Sequence, residues 1–307
     1  MIILGRYIVE YNVKEWNPAY DFTISGVSYI GNPKPNTAMY ITKKVEHLLK
    51  NLRGTSNCLI FAEEGMEIPE PLKKENCFSL SDNPQRAYAE FVQMFDQMRQ
   101  ERDRQRKYQL MPEGYYRGEN VSIGENAYIE PGCVIGHDVT IGKNARILAG
   151  SVIKNAKIGD DFLMNENSVI GAPAFTMAED ENGNKFRIPA LGKIKIGNDV
   201  EIGPQNNIAC GSNSDTILED YVKLDGLVHI GHDAHLCKNV EITAGGIFAG
   251  FVYAGEHAYT GVNACIRNRI SIGDHCIIGM GATVVASVPS GVTVAGNPAT
   301  ENFKEKK

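Results

Sequence analysis

The sequence predicts a mainly β protein, a parallel β-helix wound from six-residue repeats and preceded by a small α/β domain. Three observations carry this expectation. An aliphatic side chain returns at every sixth position beyond residue 120, small apolar residues stand two places before many of those positions, and the preceding part of the chain shows neither feature.

The aliphatic positions begin Ile123, Ile129, Ile135, Ile141, Ile147 and Ile153, often followed by glycine as in SIGEN, VIGHD and TIGKN. The phase then slips by one residue, resumes at Ile158, Met164 and Ile170, and returns at Ile196, Ile202 and Ile208. From Leu218 it runs unbroken through Leu224, Ile230, Leu236, Ile242, Phe248, Ala254, Thr260, Ile266, Ile272 and Ile278 to Val284, with Val222, Val228, Ala234, Val240, Ala258 and Ala264 among the small residues two places earlier. A helix would repeat near 3.6 residues and a half-buried strand near 2. A period of six fits a short strand plus a turn on each flat side of a prism. Three sides make about 18 residues per coil, with coils stacked at roughly the 4.8 Å inter-strand spacing.

Two stretches break the period. Ala172 to Lys193 is too long and polar for a coil and is expected as an ejected loop, with Phe175 and Phe186 as anchors. The segment GSNSDT, from Gly211 to Thr216, is a shorter break, and both lie ahead of a histidine cluster where they could line a site.

Residues 1–110 are expected to form the small α/β domain, 111–300 the β-helix, and 301–307 a tail. In the first part, apolar runs such as CLIFA alternate with turn signals such as NPKPN. A helix should begin near Asp82, capped by Ser81 or Asp82, with Pro84 in its first turn and an apolar stripe of Tyr88, Phe91, Phe95 and Met98. The continuation MRQERDRQRKYQ reads as a solvated helical end and linker. The opening MIILGRYIVEYNVKEW is only briefly apolar before Arg6, Glu10, Lys14 and Glu15, which fits neither a secretory signal nor a membrane span and suggests a cytoplasmic chain. With 31 basic against 37 acidic residues the net charge is -6, so no global positive field draws nucleic acid or acidic lipid. The seven cysteines are odd in number and lack a CxxC pair, which favours buried free thiols over disulfides or a zinc site.

The chemistry concentrates in LVHIGHDAHL, which carries His229, His232 and His235. In a coil of this kind, residues three apart lie at different points around the turn and residues six apart on different faces. No single-chain histidine metal site follows, and none is expected. The informative neighbours are vertical: Gly250 above His232, and Asn268 above that. A neutral imidazole can take a proton near physiological pH, and an unobstructed backbone N–H can face a developing oxyanion. Base and oxyanion donor are what acyl transfer requires, with either Asp225 or Asp233 to orient the ring.

The segment DTILEDYVKLDGLVHIGHDAHL resembles the region around the catalytic histidine of the UDP-3-O-acylglucosamine N-acyltransferase family, within the hexapeptide-repeat acyltransferases of lipid A synthesis. The family's VKLDN-QIAHN motif is matched by VKLDG-HIGHD, and its AG element by Ala249 and Gly250. The resemblance implies a left-handed β-helix that assembles as a homotrimer, His232 as catalytic base, and the Gly250 amide as oxyanion donor. It also implies a UDP-linked amino sugar as acceptor and an acyl thioester of acyl carrier protein or coenzyme A as co-substrate, with no bound cofactor. A uridine-binding role for the first domain would place Tyr40, after the turn KPNT, against the uracil. His229 and Asn268 are further candidate substrate contacts. Arg269 occupies the position of a second family histidine and is a candidate for a donor phosphate or an acyl-chain hydroxyl. The ending departs from the family: its VAGNPA resembles the tail of coenzyme A-dependent sugar acetyltransferases, which makes an acetyl-CoA-dependent enzyme of surface-polysaccharide synthesis the nearest alternative. A metalloenzyme resembling γ-carbonic anhydrase is a second alternative, resting on His257 and His275 stacking one coil apart. A non-catalytic scaffold is a third.

Overall fold

The computed structural model describes residues 10–300, so the apolar opening and the expected tail at 301–307 lie outside the described residues. The chain divides into two compact units. One holds Met1–Gln105 with Phe175–Leu191 and Ser212–Ser214, and the other holds Arg106–Ala174, Gly192–Gly211 and Asp215–Lys307.

The larger unit is a parallel β-helix. Its strands are mostly two residues long, and they stack into three sheets of ten, eight and nine strands, one for each face of the prism. The first face contains His229–Ile230, the second His235–Leu236 and the third Glu241–Ile242. Within each pair the second residue points inward, and Ile230, Leu236 and Ile242 are fully buried. Each such side chain stabilises the stack by about 1.5–3 kcal/mol relative to exposure. Successive coils pair in register, as in His229 against Ile247 and Ile247 against Cys265. The phase slip after Ile153 is real: Thr140 pairs with Lys157, so that coil is one residue short. Opposite Asn207 stands His229, because the extra residues of GSNSDT are accommodated there.

The corners require a left-handed backbone. Asn126, Asn144 and Asp161 all have φ between 57° and 59°, a region that short polar side chains tolerate because they can bond locally. Here they also bond vertically. Asn126 Nδ2 donates to Asn144 Oδ1 at 3.2 Å, and Asn144 Nδ2 to Asp161 Oδ1 at 2.8 Å.

The smaller unit has a four-stranded parallel sheet ordered Gly26–Val27, Thr37–Ile41, Leu59–Glu63 and Cys77–Ser81. Its strands alternate sides, as a period of two demands. Ala38, Leu59 and Phe61 join a core with Tyr88, Val92 and Phe95 of the helix Pro84–Gln105, while Met39, Ile41 and Ile60 join a second core with Leu49 and Leu52. The expected stripe holds except for Met98, which is 48% exposed. Ser81 and Asp82 do not cap the helix. Asn83 does, accepting the Arg86 N–H at 3.0 Å, while Ser81 Oγ accepts the Asn83 N–H. The expected solvated linker is also corrected at Arg106, whose guanidinium is held by Asp138 at 2.6 Å.

The stretch ejected from the coils is not a bare loop. It folds into an antiparallel hairpin, Met177–Glu179 with Lys185–Arg187, and places Ala178, Ile188 and Leu191 in the core beside Tyr88 and Phe95. Phe186 packs there as an anchor, whereas Phe175 is 79% exposed with the Arg187 guanidinium over its ring. The free thiols are buried at every cysteine except Cys265. No helix among the described residues is long and apolar enough to cross a membrane.

Because Ile188 is 4% exposed and belongs to the smaller unit's core, Ile188→Ala should destabilise that unit by about 2–4 kcal/mol. Urea unfolding followed by the fluorescence of Trp16, which lies in the same unit, checks this; an unchanged midpoint would return the hairpin to the status of a surface loop.

Candidate functional site

His232 lies at the corner between the first and second faces, immediately after the buried Gly231. A Cβ at Gly231 would stand 2.7 Å from the Ala249 carbonyl carbon, so glycine is what lets the coil above approach. Asp233 follows with φ 58°. Its N–H donates to Thr216 Oγ1 at 2.9 Å, and its carboxylate, with no exposed side-chain surface, meets His232 Nδ1 at 2.6 Å. This pairing puts the ring proton on Nδ1, which makes Nε2 the acceptor nitrogen of the ring. Of the two aspartates weighed as orienting groups, Asp233 is the one in contact. Asp225 is exposed at an earlier corner, and its carboxylate accepts the Gly226 N–H at 2.7 Å.

Gly250 stands over the imidazole. A Cβ there would fall 2.6 Å from His232 Nε2, so any side chain would displace the ring. The Gly250 carbonyl accepts the Arg269 N–H at 3.1 Å, and among the described residues its own N–H donates to no protein acceptor. An imidazole and an uncommitted amide therefore lie close together.

Two residues of this corner were not legible as site residues. Thr216 closes the broken repeat and holds the Asp233 backbone, and only its place in the GSNSDT break drew attention to it. Phe251 adopts φ 61°, where many other corners carry Asn or Asp. Its ring meets the imidazole edge-on, with centroids 5.4 Å apart, and the Arg269 guanidinium carbon lies over the ring, 4.2 Å from its centroid. Arg269 thus reaches the site through Phe251, and Asn268 is exposed one coil above Gly250.

The other two histidines diverge. His229 points outward on the first face, between Asn207 and Ile247 in register. Burial, reinforced by His232, pushes its pKa below the usual histidine value. His235 points outward on the second face and meets Glu219 at 2.6 Å, with the Cys237 thiol close by. On that face a cleft of about 540 Å³ is lined by Lys157, Lys195, Glu219 and Lys238. Tyr40 belongs to the smaller unit, where its ring packs 5.3 Å from that of Tyr88. His257 and His275 do stack, with centroids 4.9 Å apart and rings nearly parallel. Among the described residues, however, the grouping with metal-ligand spacing is Glu219, His235 and Cys237 instead.

Coils, corners and core define a left-handed parallel β-helix of hexapeptide repeats. Residues 120–155 match the family model described as Bacterial transferase hexapeptide (six repeats). The solved UDP-N-acetylglucosamine O-acyltransferase of Moraxella catarrhalis shares this fold, with TM-score 0.57 at 21% identity over 64% of this chain and 74% of that one. The Bacteroides fragilis UDP-N-acetylglucosamine acyltransferase gives TM-score 0.56 at 23% identity over 62% and 73%.

Among curated proteins, the chain is similar to the UDP-3-O-acylglucosamine N-acyltransferases of Janthinobacterium sp. (strain Marseille), 35% identical over 44% of this chain and 39% of that protein. The enzyme of that name from Delftia acidovorans is 37% identical over 45% and 42%. A probable mitochondrial one from Arabidopsis thaliana is 33% identical over 50% and 51%. The matched stretch thus spans about half or less of the length of these relatives.

Two outcomes follow from this geometry. Burial, reinforced by His232, lowers the His229 pKa in the folded chain, while the unfolded chain protonates it near pH 6.5. Stability should therefore be full above that value and fall as the pH drops through it toward the depressed folded pKa. Melting curves of His229→Asn should lack that component of acid sensitivity; an identical pH profile would show that the group does not contribute. Phe251→Asn should be at least as stable as the parent, since asparagine suits a left-handed corner better by up to about 1 kcal/mol, yet it should loosen His232. Thermal melts with imidazole NMR signals read both effects, and unchanged His232 signals would leave Phe251 without a positioning role.

Proposed function

We propose that the chain transfers an acyl group from a thioester of acyl carrier protein or coenzyme A to the amine of a UDP-linked amino sugar. The observation that carries this reading is the imidazole of His232, oriented by Asp233 at 2.6 Å and lying directly against Gly250. The names of the curated relatives point the same way.

In the reaction, the sugar amine attacks the thioester carbonyl carbon while His232 Nε2 takes the amine proton. The carbonyl π electrons move onto oxygen, where the Gly250 N–H stabilises the negative charge. Collapse of the tetrahedral species breaks the C–S bond, and the departing thiolate recovers the proton from the imidazolium. The products are an amide and a free thiol. Asp233 stabilises the transient imidazolium and keeps Nε2 aimed at the acceptor. No metal enters these steps.

In the smaller unit, Tyr40 is assigned to stacking on the uracil; in the β-helix, His229, Asn268 and Arg269 are assigned to contacts with the acceptor or donor. The protein is taken to act in the cytoplasm as a homotrimer, with the first 110 or so residues forming the nucleotide-binding part.

The test is acyl transfer by the purified chain with a panel of UDP-amino sugars and matched acyl-CoA and acyl-carrier-protein thioesters. His232→Ala should lower kcat by about a hundredfold to ten-thousandfold while circular dichroism and melting stay near the parent's. Asp233→Asn should lose activity in the same direction. A His232→Ala protein with the parent's rate would overturn the assignment.

A further inference from the structure

On the second face, the residue that follows each inward aliphatic side chain forms a vertical column. The pairings Ile123–Ile141, Ile141–Ile158, Ile158–Ile196, Ile196–Leu218, Leu218–Leu236, Leu236–Ala254 and Ala254–Ile272 set its order. It reads Gly124, Gly142, Gly159, Gly197, then Glu219 and Cys237, then Gly255 and Gly273. The glycines have a steric cause. A Cβ at Gly142 would stand 2.4 Å from the Gly159 carbonyl oxygen, and one at Gly273 2.4 Å from the Ser290 nitrogen. Only two adjacent coils abandon the rule, and both replacements carry donor atoms.

A third donor faces the same point. His235 projects outward from the strand that leads into Cys237, and the Glu219 oxygen, His235 nitrogen and Cys237 sulfur all lie within 4.8 Å of one another. The two departures from glycine and the histidine are therefore one feature. Carboxylate, imidazole and thiolate together form a donor set of borderline softness that suits zinc.

We propose that Glu219, His235 and Cys237 bind a divalent transition-metal ion, zinc by the chemistry of the donors, with the fourth position left to water or to a molecule in the adjoining cleft. A tetrahedral zinc ion with bonds of about 2.0–2.3 Å sets its donors roughly 3.5 Å apart, so side-chain shifts of about an ångström complete the site. On binding, the Cys237 S–H proton leaves to solvent as the Zn–S bond forms. The proton that His235 Nε2 donates to Glu219 leaves through solvent and is replaced by one on Nδ1, so that Nε2 can coordinate, and Glu219 replaces that hydrogen bond with a bond to the ion. Outer support is already present. The Tyr253 hydroxyl lies 3.1 Å from Cys237 Sγ and can turn to donate to the thiolate, and the Lys238 N–H donates to the other Glu219 oxygen at 3.1 Å. The Glu219 carboxylate also lines the cleft, so a ligand there could reach the ion.

This site is separate from the His232 corner and does not rest on the acyl-transfer reading. It is tested on the full chain, stripped by a chelator and titrated with zinc chloride in a calorimeter. The expected result is about one ion per chain, with affinity weakened at least about a hundredfold in Cys237→Gly and in Glu219→Gly. Both variants restore the glycine of the column and should fold. A second measurement needs no variant: cobalt(II) in the parent protein should show a thiolate-to-metal charge-transfer band. Absence of that band, or equal zinc affinity in the parent and the two variants, would overturn the proposal.

Discussion

The vertical register of the coils is the constraint on which the rest of the β-helix depends. Each strand is too short to be stable alone, so every backbone hydrogen bond of a face is made to the coil before or after it. A side chain is consequently positioned by its equivalents one coil away rather than by its sequence neighbours. His229, His232 and His235 illustrate the consequence: three histidines within seven residues point to a face, a corner and another face. Gly250, eighteen positions beyond His232, stands so near the ring that an added Cβ would lie 2.6 Å from Nε2.

Register also decides where bulky side chains meet difficult backbone. Asparagine and aspartate settle many corners, since they tolerate a positive φ and bond to their vertical neighbours. Asp233 serves twice, as a corner residue and as the partner of His232 Nδ1. Phe251 sits one coil above it in a conformation unfavourable for an aromatic residue, flanked by an imidazole and a guanidinium. Strain of this kind persists where surrounding contacts over-determine it, and it clusters at working sites.

The coils were legible because their repeat is enforced at every turn by burial of one aliphatic residue, and even the one-residue slip after Ile153 shows in the spacing. His232 over Gly250 followed from the same arithmetic. What could not be read was whatever depends on direction rather than spacing. Asp225 and Asp233 are both near His232 in sequence, and only the left-handed turn at Asp233 brings its carboxylate to Nδ1. The hairpin at Met177–Arg187 looked like a polar loop because its buried residues, Ala178, Ile188 and Leu191, are few and irregularly spaced, while its partners lie some ninety positions earlier in the helix Pro84–Gln105. The cap at Asn83 was hidden among Ser81 and Asp82, which have the same chemistry.

The second face shows why departures from a repeat are more informative than the repeat itself. A glycine required by a close approach can be replaced only where the neighbouring coil makes room, and the chain does this twice in succession, at Glu219 and Cys237. Either change alone would be unremarked variation. Together they place a carboxylate and a thiol around the outward imidazole of His235, within reach of one ion. The expectation concerned histidines six apart, and these do diverge. Donors in a β-helix converge between coils, so a search confined to neighbouring histidines passes over a set assembled from three residue types on two coils.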